Sequence, residues 1–164
     1  MAEFDPLGLL RSLTDNGVEF VLIGGVAARL RGAPLLTQDV DITPAVTSEN
    51  LERLVAALKD LDARLRTATD PEGVAFPLAP EMIEAASIWT LTTRAGDLDL
   101  VITPDGTGGY ADLIRGADRM VVSLDPELEV AVASLADVIR SKAAAGREKD
   151  LAALPLLRRT LDET

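Results

Sequence analysis

Val21-Leu-Ile-Gly-Gly-Val-Ala-Ala-Arg29, followed by Thr37-Gln-Asp-Val-Asp-Ile42, decides how this chain is read. An apolar strand runs into Gly24-Gly25, a short helix follows, and a second strand carries Asp39 and Asp41. Side chains two apart on a strand share a face, so both carboxylates project together while Val40 and Ile42 point the other way. Carboxylates that close repel each other unless a cation lies between them. A hard divalent ion, most simply Mg2+, answers that need with oxygen ligands. The diglycine lets backbone approach a ligand closely and offers free N–H groups at a helix start, where phosphate is favoured.

Upstream, Asp5-Pro6 reads as cap and first residue of a helix with Leu7, Leu10 and Leu13 as its stripe, closed by Asn16-Gly17. Glu19 to Ile23 is nearly all apolar, as a central strand would be. Gly25 to about Gly32 is helical, and Ala27 and Ala28 are small enough to let that helix lie close to the sheet. Pro34 breaks the chain before the strand Gln38 to Thr43. Thr47 or Ser48 caps a long helix with Leu51, Leu54, Val55, Leu58, Leu61 and Leu65 as its buried stripe. The stretch 69–80, with Pro71, Gly73, Pro77 and Pro80, reads as a loop or a short edge strand.

Ser87 to Thr93 and Asp97 to Thr103 form a hairpin turning at Arg94-Ala-Gly96. Its second strand brings a third carboxylate, since Asp97 and Asp99 share a face opposite Leu98, Leu100 and Ile102. Asp97, next to the turn, is expected to be solvated. Tyr110 to about Gly116 is a short helix, and Arg119 to Ser123 and Glu129 to Ala133 are strands joined by Leu124-Asp-Pro126. Ser134 caps a helix with Asp137 answering it. Leu135, Val138 and Ile139 point inward there, and Lys142 falls on the same side, where it snorkels out or meets an anion. Gly146 ends or kinks that helix. Arg147 to Leu157 resumes it, with Leu151, Leu154 and Leu157 buried, Asp150 on the side of the last two, and Pro155 kinking or shortening it.

The composition narrows the chemistry. With 164 residues, 48% of them apolar, the chain can bury a real core and is not disordered. An α/β (α+β) fold is expected, with a mixed or antiparallel sheet flanked by helices. It would form one domain over 1–164, with a core of about 17–123 and a C-terminal helical part of about 134–164. No long apolar run or basic-plus-hydrophobic leader is present, so no membrane contact and a cytoplasmic location are expected. There is no cysteine and no histidine, which excludes disulfides, thiolate sites, a Ser-His-Asp triad and an ordinary zinc site. Carboxylates, Lys, Arg and hydroxyls remain, and these suit metal-assisted phosphoryl transfer. The net charge of −11 repels nucleic acid in general, although Arg140, Lys142, Arg147, Lys149, Arg158 and Arg159 cluster near the C-terminus.

Gly-Gly, a short helix and Asp-x-Asp resemble the nucleotidyltransferase superfamily of polymerase-beta type. Ser141-Lys-Ala-Ala-Ala-Gly-Arg-Glu-Lys-Asp150 is similar to the small bacterial nucleotidyltransferase toxins of the AbiE/MenT type. The resemblance implies Asp39, Asp41 and Asp99 as metal ligands and catalytic residues, with Asp99 in preference to Asp97 as the third acid. It implies two Mg2+ ions, an NTP substrate, and Gly24, Gly25, Thr37, Lys142 and Asp150 as nucleotide-binding residues, with Lys142 also counted as catalytic. Where the superfamily usually carries an Arg before the Thr, this chain has Leu36. The toxin branch implies the tRNA 3′ end as acceptor and a cognate antitoxin as partner. Two alternatives keep the fold. One is a transferase acting on a small hydroxylated molecule such as an aminoglycoside, which suits an acidic protein. The other is a non-catalytic nucleotide-binding or antitoxin module.

Overall fold

The computed structural model describes residues 3–164. Its elements run α1 (Pro6–Asp15), β1 (Phe20–Ile23), α2 (Gly24–Leu30), β2 (Asp39–Pro44), α3 (Ser48–Asp60), β3 (Arg64–Leu65) and α4 (Pro80–Glu84). They continue with β4 (Ile88–Thr93), β5 (Gly96–Val101), α5 (Tyr110–Gly116), β6 (Asp118–Leu124), β7 (Glu127–Val132), α6 (Leu135–Ala145) and α7 (Glu148–Asp162). Seven strands make one mixed sheet in the order β3-β4-β5-β2-β1-β7-β6. β1 pairs antiparallel with β2 and parallel with β7, while β2 pairs parallel with β5. The expected α/β architecture is therefore present, and the strands carrying the acids lie side by side near its middle.

Local chemistry sets the helix starts. The Asp5 carboxylate accepts from the Gly8 N–H at 3.0 Å with Pro6 in the first turn. Thr47 and Ser134 cap α3 and α6 through Asn50 and Asp137. Gly146 ends α6 in the left-handed conformation at φ 67°, which a residue with a Cβ adopts only at a cost. Behind the acidic face, Val40, Ile42, Leu98 and Leu100 join Leu9, Leu10 and Leu13 of α1 and Leu51, Leu54 and Leu58 of α3 in one buried cluster.

Several expectations change. Leu7 is 41% exposed, while Leu10 and Leu13 are buried as expected and Leu9 joins them, so the inward face of α1 is made by Leu9, Leu10 and Leu13. α3 stops at Asp60, so Leu65 belongs to the edge strand β3 instead of extending the helical stripe. Asp62 takes a positive φ just before that strand. Within 69–80 the strand-like contact is a single bridge from Val74 to Leu65. Pro80 starts a short helix, as a proline in the first turn allows. Phe76 stacks on Trp89 with ring centroids 5.7 Å apart, and the Trp89 indole donates to the Ile83 carbonyl. Pro155 does not shorten α7, which runs on to Asp162 with Leu154 and Leu157 buried on either side of it. Leu151, expected inside, is half exposed.

One buried polar residue ties the scaffold together. Asn50 Nδ2 donates to the carbonyls of Glu19 at 2.9 Å and Ala45 at 2.7 Å, and its Oδ1 accepts from the Glu19 N–H at 2.7 Å. It thereby fixes the start of β1, the end of β2 and the first turn of α3 against one another. Asn50→Ala strands those backbone groups and is expected to lower stability by about 2–4 kcal/mol in urea unfolding. Glu49→Ala, which loses only an exposed pair to Arg53, should change it by less than about 1 kcal/mol.

Candidate active site

The acids meet because of strand register. Asp39 lies opposite Asp97 and Asp41 opposite Asp99 across the parallel β2–β5 ladder. All four carboxylates therefore stand on the face turned away from the buried cluster. Oxygens of Asp39, Asp41 and Asp99 come within 4.8 Å of one another. Asp97 points to the side and pairs with Arg66 at 3.1 Å, its side chain 38% exposed. Asp99, and not Asp97, is the residue of β5 whose carboxylate lies with those of Asp39 and Asp41.

Electrostatics at the cluster are strained. Burial, then the charges of Asp39 and Asp99, push the Asp41 carboxyl up to about 8, with Lys142 pulling weakly the other way. Asp99 is pushed up as well, first by burial and then by Asp39, against the opposing charge of Arg66. A proton shared between Asp41 and Asp99 relieves the repulsion in the absence of a cation. A hard divalent ion would relieve it better. Three carboxylate oxygens on one sheet face are the donor set such an ion takes. The residues present thus fit Mg2+.

The diglycine answers a steric demand of the same cluster. Gly24 opens α2 at φ 69°, and a Cβ there would collide with the Asp41 carboxylate. A Cβ on Gly25 would press on the Thr37 side chain at 3.0 Å. The Thr37 hydroxyl donates to the Asp39 carbonyl at 3.0 Å and lies 3.4 Å from its carboxylate. Thr37 therefore steadies the start of β2 beside the first acid. Leu36, just before it, is 95% exposed and makes no contribution to the cluster.

A cleft of about 300 Å3 opens beside the acids. Gly24, Asp41, Asp99, Lys142 and Asp150 line it, whereas Asp39, Gly25 and Thr37 do not. Asp150 is buried and accepts from Lys142 Nζ at 3.4 Å and from Arg147 Nε at 2.7 Å. Burial works to raise its carboxyl, but the Arg147 hydrogen bond and the Lys142 charge win and hold it low. Lys142 thus meets an anion inside instead of snorkelling away, and Asp150 holds two cations at the cleft wall. Sequence patterns alone miss Arg66, whose Nη2 reaches Asp99 at 3.1 Å. Placing Leu65 on a helical stripe hides the fact that its neighbour leaves an edge strand beside β4.

In its fold the chain is similar to two solved structures described as nucleotidyltransferases. The chain is similar to the lincosamide antibiotic adenylyltransferase LnuA, solved with lincomycin bound, at TM-score 0.59 and 14% identity over 93% of this chain and 94% of that one. It is also similar to a nucleotidyltransferase candidate from Thermotoga maritima, at TM-score 0.55 and 16% identity over 99% and 98% of the two chains. No family model matches the sequence, and no curated protein matches it significantly.

The raised Asp41 carboxyl has a definite consequence for stability. Between its unfolded value of 3.8 and its folded value of about 8, the folded protein holds a proton that the unfolded chain has released. Stability of the metal-free protein should therefore fall as pH rises through that window. Thermal melts in chelator are expected to show this decline, Asp41→Asn to flatten it, and millimolar Mg2+ to restore the wild type at the alkaline end.

Proposed function

We propose that this chain is a Mg2+-dependent nucleotidyltransferase that moves a nucleoside monophosphate from an NTP to a hydroxyl of a small acceptor. The observation that carries the reading is the convergence of three half-buried carboxylates within 4.8 Å on one face of two central strands, beside a glycine-opened helix and a cleft lined by a lysine. Asp39, Asp41 and Asp99 would hold the metal, two ions if the carboxylates are shared between them. When bound, Mg2+ supplies Lewis-acid activation of the acceptor hydroxyl and neutralises triphosphate charge.

The chain's own groups do the rest. Asp99 takes the proton as the acceptor oxygen forms its bond to the α-phosphorus. The bond from that phosphorus to the β-phosphate oxygen breaks, and pyrophosphate leaves. Lys142, steadied by Asp150, faces the charge that develops on the leaving group. The Gly24 and Gly25 amides at the start of α2 would meet phosphate oxygens, with Thr37 steadying the start of β2 beside them. The site would act as part of one domain spanning 1–164, in the cytoplasm, where nucleoside triphosphates are found. Among the described residues, no helix is long and apolar enough to cross a membrane.

The nature of the acceptor follows from where the C-terminal cations are spent. Arg140 pairs with Asp112 at 2.9 Å and Asp137 at 3.0 Å. The Asp112 carboxyl is pulled down to about 2 by the Gly108 N–H, then by Arg115 and Arg140. Lys142 and Arg147 are engaged by Asp150. Three of the six basic residues of that stretch are thus paired within the protein, and with a net charge of −11 a polyanionic RNA is repelled by the surface at large. A cationic or neutral hydroxylated small molecule suits the cleft better, and LnuA is a lincosamide adenylyltransferase. The tRNA 3′ end, with a toxin role and a cognate antitoxin, is the competing reading. It is supported by Lys149, Arg158 and Arg159, which are exposed and make no ion pair among the described residues.

Incubation with labelled NTPs and Mg2+, offered aminoglycosides, lincosamides and total tRNA in parallel, tests the reading. Label on a small molecule is expected, reduced at least about 100-fold in Asp41→Ala. Label on tRNA, with growth arrest that the same variant relieves, would transfer the conclusion to the toxin reading. Nucleotide binding with no transfer to any acceptor would leave a binding module.

A further inference from the structure

Arg66 follows the edge strand β3 and reaches across β4 to the acidic strand β5. Its Nη1 donates to the Leu91 carbonyl at 2.9 Å and lies 3.1 Å from Asp97 Oδ2, while Nη2 lies 3.1 Å from Asp99 Oδ1. Its backbone is fastened too. The Arg66 N–H donates to the Thr90 carbonyl at 2.9 Å, and the Thr90 hydroxyl lies 3.4 Å from the Arg66 carbonyl. Thr90 is itself the cross-strand neighbour of Asp99. The Arg66 side chain is only 23% exposed, and its guanidinium is held by groups of β4 and β5. A planar fork pinned in this way fixes both a direction and a charge, which a flexible ammonium does not.

Two consequences follow. One oxygen of Asp99 is committed to Arg66, so the carboxylate cannot rotate freely and its other oxygen is presented to the cluster. A permanent positive charge also stands beside Asp97 and Asp99, at the edge of the acidic cluster, where it opposes any other cation that enters. Asp97 has its own part in this, as the second anchor that keeps Arg66 in place.

We propose that Arg66 is a positioning residue that aims Asp99 and at the same time restrains the cation affinity of the acidic cluster. A divalent ion is then held firmly only when a nucleotide adds its own negative charge. This rests on the nucleotidyltransferase reading of the site, but one arm of its test does not require turnover.

The test compares wild type with Arg66→Met and Arg66→Lys. Free Mn2+ is titrated into metal-free protein without nucleotide, with the unbound ion followed by electron paramagnetic resonance. Nucleotidyl transfer at saturating NTP is measured in parallel. Loss of the charge in Arg66→Met should tighten Mn2+ binding about tenfold. Loss of the fork should lower kcat about tenfold or more, since Asp99 is no longer aimed. Arg66→Lys keeps the charge and loses the fork, so its Mn2+ affinity should stay within about twofold of wild type while kcat still falls.

Tighter metal binding joined to slower turnover is a combination that mere loss of a structural clamp does not produce. Unchanged or weaker Mn2+ binding in Arg66→Met, or an Arg66→Lys variant with wild-type kcat, would overturn the proposal. If Arg66→Met does not fold, Arg66→Lys decides alone: retained Mn2+ affinity with reduced kcat supports it, and unreduced kcat sinks it. If the wild type transfers nothing to any acceptor, the transferase activity itself fails, while the Mn2+ comparison still decides whether Arg66 restrains metal affinity.

Discussion

Repulsion among carboxylates at the β2–β5 ladder is the constraint on which the rest of the site depends. The register places Asp39 beside Asp97 and Asp41 beside Asp99 on one face of two adjacent central strands. Partly desolvated charges of like sign at such separations raise each other's proton affinity and destabilise the folded chain unless a cation compensates. The surroundings carry the answers to that constraint. Arg66 takes one side of the cluster and Lys142 lies across the cleft. Gly24 gives Asp41 the room that a larger residue would occupy.

A cluster of this kind is tolerated because the opposite face of the same strands is so well anchored. Val40, Ile42, Leu98 and Leu100 are fully buried against the leucines of α1 and α3. The period of two along a strand makes these two properties inseparable. A one-residue slip would drive the acids into the core and the aliphatic side chains into the cleft. Asn50 adds a polar lock at the point where β1, β2 and α3 meet. The strain at the acids is therefore held on rigid elements, where small displacements of a ligand are costly to make.

The C-terminal helices show how the meaning of a charge depends on its partners. A run of arginines and lysines invites a nucleic-acid reading when counted along the chain. In the folded protein Arg140 is absorbed by Asp112 and Asp137, and Arg147 shares Asp150 with Lys142. Lys149, Arg158 and Arg159 remain exposed, half of the basic residues counted along the stretch. The same pairing sets Asp150 against Lys142 and Arg147 at the cleft wall.

The sequence by itself determined the features that depend on neighbours along the chain. These are the paired acids of Asp39-Val-Asp41 and Asp97-Leu-Asp99, the diglycine before a short helix, and the caps at Asp5 and Ser134. Strand periodicity and capping act over a few residues, so they can be read directly. Tertiary structure alone decided that β2 and β5 lie parallel and in contact, and that Asp97 turns away while Asp99 joins the cluster. It also decided that Leu9 replaces Leu7 in the core and that Arg66 arrives from a distant edge strand. Those outcomes depend on pairings between segments far apart in the chain. Such pairings are set by how the whole sheet closes over its core, and no local pattern encodes them.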